Sequence, residues 1–126
     1  MRRIKITCGR RTFEAGLLET RTADMVMGAL PLHGNTNIWG EEIFFPVPFT
    51  AETEDDALEE VEIGSLAYWP PGKAFCIFFG PTPASTSMKP RAYSAVNVFG
   101  RILGNPGALR EITPGEKIKV DFYDIE

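Results

Sequence analysis

The chain is poor in the residues that carry most recognisable chemistry: 126 residues hold one histidine, two cysteines and no glutamine. The single histidine, His33, sits in a stretch of Pro, Gly and Asn. It has no companions for a zinc centre, which wants three or four nitrogen or sulfur ligands. No nucleophile elbow accompanies it, so a hydrolase triad is not written here either. Cys8 and Cys76 fall in apolar strand-like runs without C-x-x-C spacing. That excludes a disulfide framework and reads as two small hydrophobes. No apolar run approaches the ~20 residues that span a bilayer. Arg2 and Arg3 start like a signal sequence, but Lys5, Arg10, Arg11 and Glu14 interrupt any apolar core. The expectation is a cytoplasmic protein with no metal, no cofactor and no membrane partner.

Charge is present but unevenly spread. Thirteen basic residues face seventeen acidic ones, for a net charge of −4. The run from Glu52 to Glu62 contains only acids among its charged residues, and its part from Glu52 to Glu60 reads as a solvated loop or helical turn. It lacks the spacing and the glycine of an EF-hand. With this balance, and no basic domain surface, no nucleic-acid partner is expected. The apolar fraction of 44% and charged fraction of 24% are those of a folded globular chain. At this length residues 1–126 read as a single domain.

Patterning favours strands. Ile4, Ile6 and Cys8 alternate with polar neighbours, and Gly9 with two arginines turns the chain into Thr12 to Leu18. One helix is written, from Thr22 to Leu30: Thr22 as its cap, Ala23, Val26, Met27 and Leu30 on one face, and Pro31 as its stop. Pro31 to Asn37 reads as loop and Ile38 to Val47 as one strand. Further strands follow over Val61 to Trp69, Ala74 to Phe79, Ala95 to Leu103 and Lys117 to Tyr123. Pro70-Pro71-Gly72 breaks a hairpin, Gly80 to Pro90 is loop, and Gly107 to Ile112 a helical turn. Strands this short and numerous predict a mainly β protein that closes on itself.

Three segments carry a family resemblance: Trp39-Gly-Glu-Glu-Ile-Phe-Phe45, the run from Gly64 to Pro83, and Val96-Asn-Val-Phe-Gly-Arg-Ile102. They resemble the small prokaryotic cyclophilin-like family, and the match spans nearly the whole chain. The resemblance implies a closed eight-stranded β-barrel with one or two short helices. It also sets a limit on activity. True cyclophilins carry on one strand an arginine that donates to the twisting prolyl amide, followed by a glutamine. The counterpart here, Trp39 to Val47, has neither, and Arg101 lies on a different strand.

Candidate site residues come from strand ends and loops within those segments. Asn37, Trp39, Glu42, Tyr68, Trp69, Thr82 and Asn97 are polar or amphipathic and are expected to line one cleft at a barrel mouth. Glu42, an acid among aromatics, is expected to titrate high because its charged form is desolvated. Glu41 beside it points the other way, so no carboxylate pair acts on one substrate. His33 is expected near the rim. Gly80 and Gly100 read as close-approach positions. No catalytic residue is assigned. The favoured reading is a binding module for a small ligand or extended peptide. The residues leave open a weak prolyl isomerase or another enzyme using the same cleft, and an oligomeric subunit whose aromatic patch is an interface.

Overall fold

A computed structural model describes residues 1–123. The chain opens with a hairpin of β1 (Arg2–Cys8) and β2 (Arg11–Leu17), paired Ile4 to Ala15 and Ile6 to Phe13, so that alternate apolar side chains point inward. Gly9, at φ 62°, supplies the left-handed turn.

Helix α1 (Arg21–Ala29) starts earlier than the sequence pattern predicts. Its cap is Thr20, in extended conformation, whose hydroxyl accepts the Ala23 N–H at 3.0 Å. Thr22 lies inside the first turn, and its hydroxyl donates to the Glu54 carboxylate instead. Two threonines in three residues offer the same capping chemistry, and only the tertiary partner separates them. Ala23 and Val26 face the core.

Eight strands follow: β3 (Leu32–Asn35), β4 (Asn37–Ile38), β5 (Glu42–Pro46), β6 (Leu58–Glu60), β7 (Ser65–Trp69), β8 (Ala74–Phe78), β9 (Arg91–Leu103) and β10 (Lys117–Phe122). The antiparallel order is β3-β10-β1-β2-β9-β7-β8-β5-β4, with β6 attached to β9 alone. The expected eight strands are thus ten. The stretch expected as loop, 31–37, contains β3 and the first residue of β4. The strand expected over 38–47 is a hairpin, turned at Gly40 with φ 60°. The acidic run ends in β6, whose three residues are all exposed. These additions are short strands at the margins, with few inward side chains to betray them. The ladders form an open path with β3 and β4 as its edges, joined through Thr36. Two 3-10 turns, Pro70–Gly72 and Pro106–Glu111, complete the described residues.

Apolar side chains form two cores. The main one fills the inner face, where Phe75 stacks on Phe45 at 5.2 Å and meets Phe99 edge-on at 5.1 Å. Gly100 lets β9 cross β2 closely there, since a Cβ would stand 2.6 Å from the Gly16 carbonyl. The second core is smaller and lies on the outer face, around Ala67, Cys76 and Phe78. The β7 pairing begins only at Asn97, so the first half of β9 is free to pair with β6 and bring Ala92 and Val96 over this face. Among the described residues no helix is long and apolar enough to cross a membrane.

Candidate functional site

The structure divides six of the seven candidate residues between the two faces and places Thr82 in the loop between β8 and β9. Tyr68 and Asn97 are register partners on the inner side, both fully buried. The Tyr68 hydroxyl donates to the Phe49 carbonyl at 3.0 Å and accepts the Ala51 N–H at 3.1 Å. Asn97 accepts the Glu54 N–H at 2.8 Å and donates to the Glu52 carbonyl at 2.8 Å and to the Thr22 hydroxyl at 3.2 Å. Together they tie residues 49–54 and α1 to the sheet. Their polar groups are spent on backbone and on the Thr22 hydroxyl, so they do not share a surface mouth with the others.

Trp39, Glu42 and Trp69 are on the outer face. Trp39 and Glu42 exchange both backbone hydrogen bonds, at 2.9 and 3.1 Å, across the Gly40-Glu41 turn. Such partners carry their side chains on the same face. Asn37 stands two pairs along, opposite Phe44, exposed and donating to the Phe44 carbonyl at 3.2 Å. Trp69 is half-buried against the outer core. Its indole N–H donates to the Ser94 hydroxyl at 2.7 Å, and the bare backbone of Gly72 lies on its ring.

Tyr93 joins the two tryptophans, and the sequence pattern does not single it out. Its ring meets Trp39 edge-on at 6.2 Å and Trp69 edge-on at 6.0 Å, while the residue remains 77% exposed. It lies between the expected loop and the expected strand, where neither periodicity assigns it. A large aromatic beside a proline-rich loop is the signal that was there to find. Thr82 holds that loop: its hydroxyl donates to the Arg91 carbonyl at 2.5 Å and its N–H to the Ser85 hydroxyl at 2.9 Å. Thr82 is buried and spends its hydroxyl and N–H on this loop and on the start of β9.

Glu42 is 7% exposed, beside Phe44 and opposite Phe78. Burial raises its carboxyl pKa to about 7, a shift that the neighbouring Cys76 thiol partly offsets. The same burial pushes the Cys76 thiol well above its ordinary range. Glu41 sits in the turn and points elsewhere, paired with Arg110 at 2.5 Å. His33 is away from this row, on β3 opposite Lys119, in a depression walled also by Thr7 and Lys117. Among the described residues no cluster of three or more His, Cys, Asp or Glu side chains is arranged to hold a metal.

Chemically, the outer face offers rigid aromatic rings with polar handles and one desolvated acid.

Comparison with known proteins agrees with the architecture. The chain is similar to the solution structure of the hypothetical protein AF2241 from Archaeoglobus fulgidus, with 37% identity and a TM-score of 0.80. The match covers 97% of this chain and 95% of that one. No curated protein matches it. The profile of the cyclophilin-like family matches residues 2–121. On that span of sequence, and on the sheet that the three motif segments build, this chain belongs to the cyclophilin-like family.

Proposed function

We propose that the chain is a binding module that takes a short extended peptide or small amphipathic ligand on the outer aromatic row. The observation that carries this reading is the contact sequence Trp39–Tyr93–Trp69, with Tyr93 left 77% in water between two half-buried tryptophans. Tyrosine and tryptophan offer large, stiff contact area at low entropic cost, which is why they are enriched in recognition surfaces. The row is also held in place. Ser94 and Gly72 fix Trp69, the Gly40 turn fixes Trp39, and Thr82 anchors the segment that presents Tyr93.

Two further points support binding over isomerase chemistry. The chain has no glutamine. Near the row, Arg91 is paired with Glu59 at 2.7 Å and Arg110 with Glu41, so neither stands ready to donate to a twisting amide. We also read the sheet as working as a closed barrel. β3 and β4 are consecutive in the chain, and Gly34 admits the Phe45 ring so closely that a Cβ would stand 2.6 Å from it. The two buried, unbridged cysteines fit a reducing cytoplasm.

The test uses the chain's own reporters, because its two tryptophans are both in the row. Blocked, uncharged proline-containing tetrapeptides are titrated against the full chain while tryptophan emission is followed. A saturable change that weakens at least about tenfold in Tyr93→Ala is expected, as for an interface anchor. An unchanged spectrum for every peptide tried sinks the peptide reading. If mass in solution shows a dimer that Tyr93→Ala dissociates, the row is an oligomer interface instead.

A further inference from the structure

A carboxyl buried without a cation is costly, and Glu42 is such a group. It is 7% exposed, its same-face neighbours are Trp39, Phe44, Phe78 and the Cys76 thiol, and no ion pair reaches it among the described residues. An isolated charge in these surroundings costs several kcal/mol unless it stays protonated. An apolar residue of similar size would pack against Phe44 and Phe78 without that cost. The basic side chains on the flanking segments do not compensate it. Arg91 is held by Glu59 at 2.7 Å, Arg110 by Glu41 at 2.5 Å, and Lys89 by Glu62 at 2.9 Å.

What the protein does not supply, a ligand can. The faces of tryptophan and tyrosine rings carry negative quadrupole potential and attract cations, most strongly where water is partly excluded. A carboxylate beside them adds attraction of the same sign. A bound anion would meet opposition from both. We propose that the outer face formed by β5, β7, the start of β9 and the turn after β4 recognises an alkyl-ammonium group, with Trp39, Tyr93 and Trp69 as its aromatic wall and Glu42 as its counter-ion. Glu42 shares this face with Trp39, its backbone partner across the turn. An ammonium head reaching past Trp39 meets the carboxyl, while its alkyl stem lies along the rings. The proposal rests on the binding role given to the aromatic row and specifies the charge of what it binds.

The experiment follows the two indole N–H resonances of the ¹⁵N-labelled full chain. The probes are N-acetyl-lysine amide, its uncharged isostere N-acetyl-norleucine amide, n-butylammonium and butyrate. Lysine amide is expected to bind at least about tenfold tighter than norleucine amide, the scale of one desolvated cation–π and charge contact. In Glu42→Gln that preference collapses to about twofold or less. Equal binding of the lysine and norleucine probes to the native chain overturns the proposal, and that comparison stands even if the variant folds poorly. A preference that survives intact in a folded Glu42→Gln overturns it too. Binding of butylammonium without lysine amide supports it, with a free amine as ligand rather than a peptide side chain; binding of butyrate instead refutes it. If uncharged proline peptides bind while neither cation does, the binding role stands and this proposal falls. If no probe of either kind binds, both fall.

Discussion

At the residue scale the informative position is Glu42, because its energetics reverse those of an ordinary surface acid. Below about pH 4.5 the carboxyl is protonated in both folded and unfolded chains, and its burial has no linkage cost. As pH rises from there, the unfolded chain releases a proton that the folded chain retains until about pH 7. Stability therefore falls across that window and levels off above it. The full loss is on the order of 3 kcal/mol. Glu42→Gln removes the ionisation and escapes the loss. Urea unfolding at intervals from pH 4.5 to 8 should show the variant gaining on the native chain as pH rises. Parallel curves would mean that Glu42 is not desolvated as its 7% exposure indicates. The sequence singled this residue out as an acid near Trp39 and Phe44, but left open whether its carboxyl faces solvent or an apolar surround. Tyr93 was not singled out, since an exposed aromatic at the start of a strand leaves no periodic trace.

At the element scale, Asn97 shows how a polar residue can read as a site and act as a clasp. A buried asparagine on a strand suits a ligand contact or a structural bridge equally well, and nothing in its neighbours decides between them. Here it joins β9 to α1 and to residues 52–54 through three hydrogen bonds. Asn97→Ala leaves the Glu52 carbonyl and the Glu54 N–H without that partner. The expected cost is about 1–3 kcal/mol, the penalty for stranding buried polar groups. Proteolysis within residues 49–56 should accelerate, while ligand affinity at the outer row stays within about twofold. Loss of outer-row binding in a stably folded Asn97→Ala would place it in the binding machinery after all. The elements themselves were unevenly visible. The β1–β2 alternation and the all-buried β8 announce themselves in sequence. β3 does not, because Leu32 is its single buried residue and its pairing with β10 is a backbone matter.

At the scale of the whole molecule, membership of the cyclophilin-like family does not carry the isomerase reaction with it. That reaction needs a donor aimed at an amide nitrogen in its twisted state, and such a donor is worth about 10²–10³ in rate. The chain has no glutamine, and Arg91 and Arg110 are bound to acids. On a proline tetrapeptide, exchange measured by NMR should proceed at least about 10²-fold more slowly than with an arginine-bearing cyclophilin. A comparable rate would refute this and reinstate the enzyme reading.

The sequence by itself determined the class of architecture. Alternation, short strands, one amphipathic helix and three motif segments suffice for a mainly β sheet with its helix, because inward-facing apolar residues must find a core whatever their partners. It also marked Glu42 as a candidate for a raised pKa, without deciding whether its carboxyl faces solvent or an apolar surround. Which face each candidate side chain occupies was left to the tertiary structure. The division of Trp39, Glu42 and Trp69 from Tyr68 and Asn97 depends on where the Gly40 turn falls and where β9 leaves β7 for β6. In a strand a shift of one residue exchanges inside for outside. That register is set by backbone pairing between segments far apart in the chain, which no local pattern of side chains encodes.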